Sequence, residues 1–236
     1  MPASAGTGFF VRSGMPGQVQ ILPVFKIFPC YNSDVMKNTG NMNLWHRFWG
    51  HLGTVLRHKH HVFKNCAKAG IPWQGIKHDL SKFSPTEFIP GVKYYSGSHS
   101  PNEGERSEYG YSLAWMHHKG RNKHHYEYWN DYNLITREPG PVKMPMRYVV
   151  EMVCDRIAAS KVYKKNEYAD SCPLEYFNKR KDRRDMHPDT YALTLQLLTM
   201  LAEKGEDETF AYIRRLLKED KGHTRYVQDP RETTNI

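Results

Sequence analysis

The chain has 236 residues, enough for one domain with its own core, and its 39% hydrophobic and 25% charged residues are ordinary for a soluble globular protein. Four well-separated cysteines (Cys30, Cys66, Cys154, Cys172) exclude a disulfide framework and a Cys-type zinc site, and they point to a reducing, cytoplasmic compartment. No apolar run approaches the roughly 20 residues of a membrane-spanning helix, since Val19 to Phe28 is short and interrupted by Pro23 and Lys26. Lys and Arg outnumber Asp and Glu by 34 to 25, a balance that favours anionic partners without choosing among phosphorylated metabolites, nucleic acid and acidic surfaces.

Residues 1–41 are rich in Gly, Pro and Ser and show no helical period, so they read as a poorly ordered extension before a domain spanning 42–221, with a flexible tail over 222–236. Apolar residues recur at helical spacing from Leu44 to Ala69, and Gly70 with Pro72 ends that helix. A short helical piece is predicted over Ile76 to Lys82. Ser84-Pro85-Thr86-Glu87 then has the form of a capping box opening the next helix. Residues 96–104 read as loop, 105–118 as helix, 124–132 as helix and 133–143 as loop. Pro145 opens a helix to about Tyr163, and three more follow over 173–184, 188–204 and 206–219, punctuated by Pro188 and Gly205. No strand alternation and no fixed repeat is visible, so the fold class is all-α.

The histidines are unevenly placed: 11 of the 13 fall between His46 and His125. They cluster as His58, His60 and His61, then His78 beside Asp79, then His117 and His118, then His124 and His125. Asp155 follows inside the helix that Pro145 opens. Imidazole and carboxylate together suit divalent transition metals such as Zn, Fe, Mn or Co, and helices can converge such groups on a shared interior. Neighbours in a helix point about 100° apart, so one histidine of each pair is expected to face inward. The i and i+7 relation pairs His118 with His125, or His117 with His124. His46, His51, His60 and His99 are assigned to the core or the surface.

The order His58, His78-Asp79, a histidine from 117/118, a histidine from 124/125, then Asp155 resembles the H…HD…H…H…D pattern of the HD-domain superfamily, with His78 to Lys82 similar to its HDxxK variant. The segments GIPWQGIKHDLSKFSPTEF (70–88), WMHHKGRNKHHYEYW (115–129) and YVVEMVCDRIAASKVY (148–163) most resemble an uncharacterised bacterial domain family. The resemblance implies an HD-like helical bundle with a metal site between its helices, holding one or two divalent ions. In it His78 and Asp79 anchor the first ion, Asp79 bridges to the second, and His58 and Asp155 complete one side, with His61 the second choice for the first position. One histidine from each later pair would bind the second ion. The resemblance also places Lys82 on the substrate.

Beside that implication, Lys119, Arg121 and Lys123 read either as a phosphate-binding cluster or as a solvated turn. Glu151, one turn before Asp155, is a candidate general base or a partner that orients a ligand. Lys179 to Arg184 reads as a solvated face, with nucleic-acid binding the minority reading. The function expected is a metal-dependent phosphohydrolase acting on a small phosphate ester or nucleotide, with Asp79, Lys82 and Glu151 as its catalytic candidates. The alternatives are a two-iron oxygenase of the myo-inositol oxygenase type and a non-catalytic metal-binding module. A chain beginning at Met42 is expected to keep its helical circular dichroism and thermal midpoint. A large loss of either would show that the first 41 residues pack on the domain.

Overall fold

The computed structural model describes residues 42–179 and 185–220. The extension over 1–41, the tail over 222–236 and most of the basic stretch 179–184 lie outside the described residues.

Helix α1 (Leu44–Ala69) opens with Asn43, whose side chain accepts the His46 amide, and closes where Gly70 turns left-handed at φ 85°. It packs on α2 (Pro72–Lys77) and on α6 (Met146–Lys164). A 3-10 turn, Leu80–Phe83, leads into α3 (Pro85–Lys93). Helices α4 (Pro101–Tyr109) and α5 (Leu113–Lys119) follow, and both pack on α3. After α6 come α7 (Cys172–Lys179) and α8 (Pro188–Asp220), which is interrupted at Gly205 by a backbone of φ 77° and ψ 178°. The described chain is mostly helical, and none of its helices is long and apolar enough to cross a membrane.

The core lies between α1, α6 and α8. Val62, Cys66 and Ala69 meet Val150, Val153, Cys154 and Ile157, and Leu197, Leu198, Leu201, Phe210 and Ile213 close over them. Helix α6 is buried along an unbroken run from Val149 to Cys154, so it passes through the middle of the molecule rather than along its surface. Glu151 is carried into the interior with that run.

Four expectations from the sequence change here. The piece expected over 76–82 is two pieces, because the chain breaks at His78 and Asp79, where Asp79 takes a left-handed φ of 53°. Lys59 fixes this break from α1 by donating to the carbonyls of Ile76 (2.7 Å) and His78 (2.8 Å). The helix expected over 105–118 is also two, and α4 starts inside the predicted loop. Gly110 turns at φ 81°, and the Glu105 carboxylate accepts the Ser112 hydroxyl (2.6 Å) and the Leu113 and Ala114 amides, capping α5 from a neighbouring helix. Residues 124–132 are not helical but form a loop and a 3-10 turn, Tyr126–Tyr128. Finally, Asn130–Asn133 and Glu138–Pro141 pair as an antiparallel hairpin, with Asn130 opposite Pro141 and Asn133 opposite Glu138. Asn133 makes the turn by accepting the Ile135 and Thr136 amides. Neither face of β1 is buried, so no apolar alternation marks it in the sequence.

The close contact of α1 with α2 depends on Gly75. A Cβ there would stand 2.8 Å from the Cys66 Cβ and 3.0 Å from the Phe63 Cα, which is backbone. Alanine ordinarily gains about 0.5–1 kcal/mol over glycine inside a helix, whereas overpacking costs about 1–3 kcal/mol. Gly75→Ala is therefore expected to lower the thermal midpoint. A raised midpoint would show that α2 can move off α1 freely.

Candidate metal centre

The break at His78 and Asp79 places both side chains in the interior between α1, α5 and α6. Asp79 lies at its centre, and its two oxygens face different neighbours. Oδ2 lies 3.2 Å from His78 Nε2 and 2.7 Å from Lys82 Nζ. Oδ1 lies 3.3 Å from His118 Nε2 and 3.4 Å from His124 Nε2. On the Oδ2 side Asp155 Oδ1 stands 2.9 Å from His58 Nε2 and 3.6 Å from His78 Nε2. Two sets of ligand-type atoms therefore share Asp79. One is His58, His78, Asp79 and Asp155; the other is Asp79, His118, His124 and His125, and within each set the atoms lie within 4.8 Å of one another.

These contacts are short, yet several of the atoms that make them have no hydrogen-bond partner. His58 Nε2, His78 Nε2, His124 Nε2, His125 Nε2 and Asp79 Oδ1 are buried without one, whereas Asp79 Oδ2 has the Lys82 ammonium. Ligand atoms about 2.1 Å from one ion stand about 3.0 Å apart across an octahedral edge and about 3.4 Å across a tetrahedral edge. The observed separations of 2.9–3.6 Å around Asp79 and Asp155 lie close to such edges. The donor set, imidazole nitrogen with carboxylate oxygen, could hold divalent metal ions.

The far side of the rings is fixed as well. His78 Nδ1 lies 3.1 Å and His124 Nδ1 3.4 Å from the same Glu151 oxygen, while Gln74 donates to the other at 2.7 Å. His118 Nδ1 lies 2.7 Å from Glu87 Oε2, and His117 Nδ1 lies 2.6 Å from Glu87 Oε1. A carboxylate at Nδ1 fixes the tautomer that leaves the Nε2 lone pair free to bind. His78, His124 and Glu151 also form a third possible ligand group. With its two oxygens taken up by Gln74 and the two rings, Glu151 is better placed to orient imidazoles than to accept a substrate proton.

The charges follow from this packing. Burial favours the neutral acid of Asp79, but His78, Lys82 and His118 outweigh it and hold the carboxyl well below the usual range. Burial likewise opposes ionisation of Asp155, and His58 and His78 overcome it. Glu151 is also penalised by burial, yet His124 and His78 draw it down to about 2. Burial and then Lys82 lower His58, and burial with His124 lowers His125, so both rings are held in the neutral form that binds metals. Burial would lower His78 too, but Asp79, Asp155 and Glu151 raise it well above its ordinary value. Burial disfavours the Lys82 ammonium, but Asp79 and Asp155 keep it protonated.

Of the residues singled out in the sequence, His58, His78, Asp79, His118, His124, His125 and Asp155 come together here. His117 turns to Glu87 instead. His61 lies outside both sets, near Lys161 and His60. The expectation of one inward histidine per pair fails at 124 and 125, because the backbone there is not helical and both rings reach Asp79. Arg121 is exposed and donates to the His117 carbonyl, and Lys123 lies over the rings of Tyr128 and Tyr148. Neither they nor Lys119 pairs with Asp79 or Asp155 among the described residues. The sequence reading missed Glu87. Its capping-box position suggested a bond to the Ser84 amide, but Ser84 makes no side-chain cap bond and the carboxylate serves the histidines of α5.

The sequence model of a protein family described as Family of unknown function (DUF5662) matches residues 47–200. The chain belongs to this family. No curated protein and no solved structure matches it. The stretch shared with DUF5662 contains both ligand sets and both outer carboxylates, Glu87 and Glu151.

Removing a partner that orients a metal ligand typically costs 10–100-fold in metal affinity. Glu87→Ala is expected to fall within about that range for divalent-ion binding, with its helical circular dichroism retained. Unchanged affinity in equilibrium dialysis would mean that His118 needs no support from Glu87.

Proposed function

We propose that the chain is a metal-dependent phosphohydrolase of the HD type, acting on a small phosphate ester or nucleotide through two divalent ions held on either side of Asp79. The observation that supports this most is the division of Asp79: Oδ1 faces His118 and His124, Oδ2 faces His78 on the side of His58 and Asp155, and the Nε2 atoms of His58, His78, His124 and His125 are buried without a hydrogen bond. His58, His78 and Asp155 would complete one ion's ligands, and His118, His124 and His125 the other's. When bound, such ions supply hydroxide at neutral pH, because coordination lowers the pKa of water from about 15.7 towards ~7.

The protein's own groups supply binding and charge. The more open side of the cluster is edged by His58, Asp155 and Lys82, whose side chains are 11%, 19% and 31% exposed. An anionic substrate entering there meets the Lys82 ammonium first. A protonated lysine cannot bind a metal cation but can neutralise charge growing on phosphoryl oxygens as the ester bond to phosphorus breaks. This cation at the mouth favours a phosphorylated substrate over the neutral polyol of a two-iron oxygenase.

Two substitutions separate the roles. Asp79→Ala is expected to purify without metal and without activity, since it removes the one carboxylate common to both sets. Full metal content in that variant would show that the site lies elsewhere. Lys82→Ala is expected to keep its metal but to lose turnover of whichever phosphoester in a substrate panel the wild type cleaves, by roughly 10²–10³-fold, the size of a lost oxyanion donor. Unchanged turnover would return Lys82 to a surface role, and lost metal would make it a support of the ligand shell.

A further inference from the structure

The two ligand sets are not equivalent, and Lys82 marks the difference. Its ammonium lies 2.7 Å from Asp79 Oδ2, the oxygen that belongs with His58, His78 and Asp155. Asp79 Oδ1 has only imidazole nitrogens around it, from His118 and His124. A cation entering the Oδ2 set would meet an ammonium already on one of its ligands, and the two charges repel. A cation entering the Oδ1 set meets no such competitor.

Burial and ligand type separate the sets in the same direction. Apart from the shared Asp79, the inner set has buried His118 and His124 (5% and 1% exposed) with half-buried His125, while the outer set has buried His78 with His58 and Asp155 at 11% and 19%. The inner set offers three histidines and one carboxylate, a combination that suits borderline metals such as zinc in a closed, four-ligand arrangement. The outer set offers two histidines and two carboxylates and faces the open side.

We propose that the inner set, Asp79 Oδ1 with His118, His124 and His125, binds its ion first and tightly, and that the outer set takes a second, exchangeable ion only by displacing Lys82 from Asp79 Oδ2. The displaced ammonium is then free to turn to an anionic ligand at the mouth. Lys82 is thus a gate on the outer ion, and loading of that ion and readiness for substrate are one event. This rests on the two-ion reading given above.

The test is a titration of chelator-treated, full-length protein with Mn²⁺, with free ion read by electron paramagnetic resonance and bound ion by elemental analysis. The wild type is expected to take up two ions in two steps, the second at least about tenfold weaker. Lys82→Met and Lys82→Gln are both expected to tighten the second step by about tenfold and to leave the first unchanged, because a charge-assisted contact no longer has to be broken. His58→Ala is expected to abolish the second step alone. Circular dichroism confirms that each variant is folded. Two ions bound in a single step, or a second step unchanged or weakened in both Lys82 variants, would overturn the gate and leave the two-ion reading standing. No uptake, or one ion at saturation, would overturn both.

Discussion

The structure depends on the Asp79 carboxylate, a negative charge held in the interior at a break between two short helical pieces. An isolated carboxylate in such a place is strongly disfavoured and would ordinarily take up a proton. Here His78, Lys82 and His118 surround it and keep it ionised. Its left-handed backbone is one that aspartate tolerates better than most residues, and Lys59 secures the turn through the carbonyls of Ile76 and His78. The consequence is a fixed anion with one oxygen facing His118 and His124 and the other facing His78 and Lys82.

Around that anion the protein uses two further carboxylates in a different way. Glu151 and Glu87 stay behind the rings and hold their Nδ1 atoms, so that Nε2 faces inward. Glu151 takes one ring from each ligand set, His78 and His124, on a single oxygen. The two sets are thus tied together twice, by Asp79 between them and by Glu151 behind them. Disturbing either residue should be felt on both sides of the centre.

Much of this was legible in the sequence, and the gaps have physical causes. The long helix from Leu44 to Ala69 and the helix after Pro145 follow from apolar period and caps, and both appear within a residue of where they were read. His58, His78, Asp79 and Asp155 could be picked out because their order along the chain resembles the HD-domain pattern. The break at Gly110 and the stretch from His124 to Pro141 were misread because their geometry is set by side-chain bonds that no periodicity reveals: Glu105 capping α5 across a turn, and Asn133 folding a hairpin with no buried face. The absence of helix at 124–125 is why both His124 and His125 join the site. Glu87 was hidden for another reason. Its place three residues after Ser84 has a complete local explanation as a cap, and only the approach of α5 gives the carboxylate a different use. The poorly ordered extension and the flexible tail expected at the two ends lie outside the described residues.

The proposed function requires two ions flanking one carboxylate, and anomalous diffraction from crystals of the purified protein tests that directly. Data collected at the absorption edges of Mn, Fe, Co and Zn should give two peaks about 3.5–4 Å apart. One should lie beside Asp79 Oδ1 among His118, His124 and His125, and the other beside Oδ2 among His58, His78 and Asp155. Peaks elsewhere in the molecule, or density at Asp79 that shows only hydrogen-bonded water after soaking in each of those metals, would contradict it.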